Sequence, residues 1–221
     1  MIISHKHKFI FIHIPKSAGT SVFLSLANSI NALDKDEECI CSIDDHILVK
    51  SRDLSFYGNS ELCDDFDLWQ HSKLFDIEAL FKLKGWNIDE YFKFAFVRNP
   101  WARAVSYWAY QFADQNFEDF CMGSDDVQYR YIKKDTNKVL NKYGKYYYES
   151  EIGIDFVGRL ENLSEDLKLA CDKIGIPNPE MHHHNKSDHK HYTEYYNEKT
   201  QEIIAKNYEL DISKFGYTFT S

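Results

Sequence analysis

The sequence predicts an α/β fold of three layers, with a central, mainly parallel sheet and a P-loop-like strand–turn–helix phosphate site. Three observations predict it. An apolar strand pattern at 9–14 runs through a tight turn into an amphipathic helix. A second strand pattern at 92–97 does the same, through Arg98-Asn99-Pro100. A third strand and helix alternate over 155–174, and repeated strand–helix alternation implies a parallel sheet with crossover helices. The length, 221 residues, suits one domain over 1–221 with room for a substantial core.

Taken in order, the first strand covers Phe9 to Ile14 and the turn Pro15 to Gly19. The first helix runs from Thr20 to Asn31, with Val22, Leu24, Leu26 and Ile30 among its apolar positions. Residues 34–67 are acidic and mixed, with short strands expected around Ile40 and Ile47. Asp76 to Lys84 reads as a short helix with Ile77, Leu80 and Phe81 on one face. After the strand Phe92 to Val97, Asn99 is a good N-cap and Pro100 a good first helical residue, and that helix reaches Phe112. Residues 113–150 are polar and tyrosine-rich and read as irregular, with a helix near Val127 to Lys134. Asp155 to Arg159 is the third strand. A helix from Glu161 to Ile174 is stopped by Gly175 and Pro177, and a last helix spans Thr193 to Glu209.

Composition bounds the function. Apolar residues make up 43%, as in a globular chain, and charges interrupt every run that approaches membrane-spanning length. The opening residues lack the apolar core and cleavage site of a signal peptide, so a cytoplasmic protein is expected. The five cysteines are scattered, odd in number and without a C-x-x-C pair, which reads as reduced structural thiols. A net charge of −9 argues against a nucleic-acid binder and disfavours a polyanionic partner. An anion site must therefore be a local basic pocket in an acidic surface.

Two segments supply such a pocket. In Pro15-Lys16-Ser17-Ala18-Gly19-Thr20-Ser21, backbone N–H groups and the helix dipole favour an anion, Lys16 adds a charge, and Thr20 and Ser21 add hydroxyls. The run has one glycine, and its lysine precedes that glycine, so it is not the G-x-x-x-x-G-K-[ST] loop of nucleoside triphosphatases. Arg98 ends the second strand, where a guanidinium can grip a phosphate bidentately, and Ser106 lies two turns into the next helix. Both segments fall at the carboxyl ends of strands, where sheets of this class bind ligands.

The pair FIHIPKSAGTS and FAFVRNPWARAVSY resembles the two donor-binding motifs of sulfotransferases that use 3′-phosphoadenosine 5′-phosphosulfate, in the branch related to carbohydrate sulfotransferases. The likeness extends to Asp155–Leu163 and to Asn185-Lys186-Ser187 with Tyr195-Tyr196. It implies that Lys16, Ser17, Ala18, Gly19, Thr20 and Ser21 hold the 5′-phosphosulfate and that Arg98 and Ser106 hold the 3′-phosphate. It also implies an acceptor hydroxyl, on a sugar or glycan. Sulfuryl transfer needs an in-line nucleophile and charge stabilisation, and its phosphate leaving group imposes no need for a metal. Lys16 is the candidate for stabilising that leaving group and His71, between the motifs, the candidate base.

Other residues have blander readings. His13, next to the turn, reads as structural. The cluster His182, His183, His184, His189 and His191 lacks metal-ligand spacing and reads as a loop lining the site. Arg159 and Glu161 read as structural. Gln128, Tyr129, Tyr131, Tyr143 and Tyr146 to Tyr148 form an aromatic, polar segment suited equally to sugar rings or to packing. Two rival functions remain: a nucleotide-dependent phosphotransferase, which calls for a Walker-type loop and a magnesium-holding Asp, and a non-catalytic nucleotide-binding module of the same fold.

Overall fold

The computed structural model describes residues 1–30, 41–43, 46–48, 70–140, 146–179 and 190–220. In chain order the elements are β1 (Ile2–Ser4), β2 (Phe9–Ile12), α1 (Gly19–Ser29), β3 (Cys41–Ile43), β4 (His46–Leu48), α2 (Leu74–Lys84), β5 (Phe92–Val97), α3 (Pro100–Gln111), α4 (Phe117–Gly123), α5 (Tyr129–Ile132), β6 (Lys133–Leu140), β7 (Tyr146–Ile152), β8 (Phe156–Arg159), α6 (Leu163–Ile174), α7 (Glu198–Asn207) and α8 (Glu209–Phe215).

The main sheet has the order β3-β4-β1-β2-β5-β8. β2, β5 and β8 run parallel, with Phe11 opposite Phe94 and Phe94 opposite Phe156. This is the parallel sheet that the strand–helix alternation predicts. β1, β4 and β3 extend it as an antiparallel half, so the sheet as a whole is mixed. The reason is chain length. The short link His5–Lys8 between β1 and β2 makes a hairpin, whereas a parallel return needs about a dozen residues or more.

Strand alternation sends side chains to two cores. Phe9, Phe11, Phe94 and Phe96 face one side, where Val22, Phe23, Leu26 and Ala27 of α1 and Leu167, Ala170 and Cys171 of α6 cover them. Ile10, Ile12, Ala95 and Val97 face the other, against α2 (Leu74, Ile77, Leu80, Phe81), α3 (Trp101, Ala104) and the C-terminal helices (Ile204, Phe215). A sheet covered on both faces needs strands that are apolar throughout, and all four residues of β2 are buried. The helices supply the outer two layers.

Two expectations are corrected. The helix expected near Val127 to Lys134 is present as α5, but the rest of 113–140 and 146–150 is not irregular throughout. These residues hold α4 and the single turn α5, after which β6 pairs antiparallel with β7 across a register shift between Asp135 and Asn137. A two-stranded ribbon rich in lysine and tyrosine lacks the apolar alternation that marks a half-buried strand. The last helix, expected over Thr193 to Glu209, is broken: Asn197 caps α7 by accepting from Thr200 N, and α8 starts anew after Tyr208.

Gly158 on β8 lies opposite Phe96, and a Cβ there would stand 2.5 Å from the Phe96 ring. Gly158→Ala is therefore expected to lower the unfolding free energy by about 1–3 kcal/mol through overpacking, measured by urea denaturation. An unchanged midpoint contradicts this account of the β5–β8 contact.

Candidate functional site

The parallel pairing of β2 with β5 places the turn after β2 beside the end of β5. The turn Pro15–Ala18 is unusual: Lys16 and Ala18 both adopt left-handed backbone, at φ 61 and 60. Such residues cost about 1 kcal/mol or more each and gather backbone N–H groups into an anion-binding concavity. Three side chains hold the turn. Arg103 Nε donates to the Pro15 carbonyl at 2.8 Å, Arg98 Nη1 to the Lys16 carbonyl at 3.4 Å, and Ser17 Oγ to Gln128 Oε1 at 3.0 Å.

The helices leaving the two strands have different N-termini. No side chain caps α1, whose N-cap is Ala18, and its first turn carries no acid. The N-terminus of α1 therefore keeps the partial positive charge of its helix dipole without a cap from its N-cap residue or an acid in its first turn. The start of α3 is closed, because Asn99 Oδ1 accepts from Trp101 N at 3.0 Å and Ala102 N at 3.2 Å. Gly19 opens α1 with the buried His13 ring against it. A Cβ at Gly19 would fall 1.7 Å from His13 Cδ2, so only glycine fits.

Three cations converge on this corner. Burial, then the charges of Arg98 and Arg103, lower the Lys16 ammonium to about 8, and its Nζ sits 3.9 Å from the centre of the Tyr110 ring. Burial also lowers Arg98, whose Nε is buried without a hydrogen-bond partner. Arg103 is almost wholly buried and paired with Asp126 Oδ2 at 2.6 Å. An unpartnered buried guanidinium N–H is a costly arrangement that an anion would relieve.

His71 stands against the end of β2. Its Nδ1 lies 2.8 Å from the His13 carbonyl oxygen, which can only accept, so Nδ1 carries the proton and Nε2 the lone pair. Its ring packs edge-on to His13 at 4.5 Å. Burial is the main cause that lowers His71 to about 4, and burial pushes His13 well below the usual range. Both imidazoles are thus neutral at neutral pH.

The structure joins Lys16, Ser17 and Arg98 through hydrogen bonds, with His71 one residue pair away at His13. Ala18, Gly19, Thr20 and Ser21 form the turn's end and the first turn of α1. Ser106 is buried two turns along α3, one turn beyond Arg103. His182, His183, His184 and His189 lie outside the described residues. His191 is exposed and bonded to Thr193 Oγ1 at 2.7 Å. Among the described residues no group of His, Cys, Asp and Glu is arranged to hold a metal ion.

Three further residues build this corner: Gln128, expected only within a segment suited to sugar rings or to packing, Glu161, which reads from the sequence as structural, and Asp211, for which the sequence suggested no role. Gln128 is wholly buried between the two motifs. Asp211, also wholly buried, accepts from Gln128 N and Tyr129 N at 2.8 Å each. Glu161 accepts from Asn99 N at 2.8 Å and from the Tyr217 hydroxyl at 3.1 Å. The available signal was Asp211 lying between Leu210 and Ile212 in a helical pattern, an acid among apolar neighbours.

Residues 1–218 match the model of the Sulfotransferase family, and the chain belongs to that family. It is also similar to an uncharacterized protein of Archaeoglobus fulgidus, 36% identical over 90 residues, which are 40% of this chain and 72% of that protein. No solved structure matches the chain. No helix among the described residues is long and apolar enough to cross a membrane.

The site makes two titration predictions. Lys16 should acylate with an apparent pKa of about 8, read by mass spectrometry of peptides after brief anhydride labelling; a value above about 10, that of an ordinary lysine, contradicts the burial argument. The His71 ring should stay neutral, with its proton on Nδ1, from pH 8 down to about 4 in nitrogen NMR. Because the unfolded ring binds a proton near pH ~6.5 and the folded one does not, its contribution to stability is lost as pH falls from about 6.5 toward 4.

Proposed function

We propose that this member of the sulfotransferase family moves a sulfuryl group from 3′-phosphoadenosine 5′-phosphosulfate to a hydroxyl of a carbohydrate acceptor, with the whole chain acting as one sulfotransferase-like domain. The observation that carries the reading is the buried corner where Arg98, its Nε unpartnered, donates to the carbonyl of Lys16. In a chain of net charge −9, that corner concentrates Lys16, Arg98 and Arg103 at the ends of two parallel strands. It suits a ligand with two phosphates.

When bound, the donor supplies an activated sulfuryl group on a phosphate leaving group. The chain's own residues would divide the remaining tasks. The N–H groups of Ser17, Ala18, Gly19, Thr20 and Ser21, at the uncapped start of α1, would hold the 5′ end, with the hydroxyls of Thr20 and Ser21 beside them. Arg98 and Ser106 would hold the 3′-phosphate. Lys16, with a proton it releases near pH 8, would offset negative charge at the turn. His71 would take the acceptor proton at Nε2, its Nδ1–H fixed by the His13 carbonyl. The weak basicity that burial imposes on His71 favours the neutral, proton-accepting ring before the acceptor arrives.

A sugar acceptor is supported by Tyr110, which is 73% exposed beside Lys16 and offers a flat apolar face with a hydroxyl. A cytoplasmic location is supported by Cys121 and Cys171, both buried and unpaired.

The test is transfer of labelled sulfate from the donor to a panel of oligosaccharides. His71→Ala is expected to lower kcat about 100-fold or more with binding of 3′,5′-adenosine bisphosphate unchanged. Turnover equal to the wild type removes His71 as the base. Arg98→Ala is expected to weaken the bisphosphate by about 1.5–3 kcal/mol and adenosine 5′-phosphate far less. Equal weakening of both contradicts the assignment of Arg98 to the 3′-phosphate.

A further inference from the structure

Gln128 touches both halves of the site from outside either motif. Its Oε1 accepts from Ser17 Oγ at 3.0 Å and from Arg98 N at 2.8 Å. Its Nε2 donates to the Arg98 carbonyl at 2.7 Å and to Asp211 Oδ2 at 3.3 Å. The residue is 0% exposed, and these bonds use the full capacity of an amide, two acceptances at oxygen and two donations at nitrogen. Its orientation is set by chemistry: the Arg98 N–H can only donate and the Arg98 carbonyl can only accept. The side chain thereby pairs with both peptide groups of Arg98, the residue just after β5, as another strand would, and it reaches the turn of the first motif with the same oxygen.

Gln128 is itself immobilised. Asp211 on α8 accepts from the backbone N–H groups of Gln128 and Tyr129 as well as from Nε2. Ser17, 1% exposed, donates its hydroxyl proton to Gln128 Oε1.

We propose that Gln128, anchored by Asp211, is a positioning residue that sets the spacing between the Lys16 turn and Arg98, and so selects a nucleotide that carries phosphates at both ends. This rests on the donor reading above. No amide-free side chain of similar size reproduces it. Methionine makes none of the bonds, and glutamate loses the donation to the Arg98 carbonyl and brings a second carboxylate to Asp211. A ligand that engages one loop alone does not sense the spacing, whereas a ligand that spans both does.

The test compares Gln128→Met and Gln128→Glu with the wild type, by calorimetry with adenosine 5′-phosphate, adenosine 3′-phosphate and 3′,5′-adenosine bisphosphate, alongside thermal melts. Two variants are used so that one that fails to fold leaves the other. The expected result is a loss of about tenfold or more for the bisphosphate with each monophosphate changed less than about threefold, the size of coupling found between groups sharing one network. A loss shared evenly by all three ligands, or no loss, overturns the proposal while the donor reading stands. A wild-type protein that does not bind the bisphosphate overturns the donor reading and this proposal with it.

Discussion

The parallel pairing of β2 with β5 is the constraint on which the rest of the molecule depends. Ile12 sits opposite Ala95, so the chain leaves both strands at one edge of the sheet. Everything at the site follows from that exit. Pro15–Ala18 and Arg98–Pro100 meet there because the strands end together, and α1 and α3 leave from that end to cover opposite faces of the sheet. The pairing survives because it is buried twice: phenylalanines lock one face and aliphatic residues the other. Antiparallel β1, β3 and β4 widen the sheet on the far side and leave this edge alone.

Such an edge gathers positive charge at a cost. Lys16 and Arg98 are both lowered, first by burial, and Lys16 further by its cationic neighbours. Arg103 alone has a direct carboxylate partner, Asp126. The surrounding network therefore works on backbone groups. Gln128 and Glu161 bind the peptide N–H groups of Arg98 and Asn99, and Arg103 binds the carbonyl of Pro15. Fixing the backbone while leaving cationic heads undercompensated is the arrangement that the proposed donor binding requires, because preorganised charge costs little reorganisation.

The parts of this plan that are local in sequence were legible there. β2 and β5 announce themselves by four or more consecutive apolar residues. The Lys16 turn and Arg98 follow directly, because a strand end and a helix start fix where they point. Asn99 and Pro100 state the start of α3 in residue types with one shared purpose. The rest was hidden by distance. Gln128 serves Ser17 from 111 residues away, through the Ser17 hydroxyl, and Asp211 serves Gln128 from 83, through a backbone N–H group that every residue but proline has. A polar residue in that role looks like any surface glutamine or aspartate. The β6–β7 ribbon was hidden for another reason: its lysines and tyrosines carry no alternation to read. His71 was visible as a candidate, but its tautomer came only from the carbonyl of His13, a contact between segments.

In the proposed function the two strand ends form one grip on a nucleotide phosphorylated at both ends. A diffraction structure of the protein with 3′,5′-adenosine bisphosphate tests it most directly. The expected density has one phosphate at the N-terminus of α1 and the other on the guanidinium of Arg98, its Nε now partnered. Both phosphates on one of these two loops, or a nucleotide bound away from the ends of β2 and β5, would contradict it.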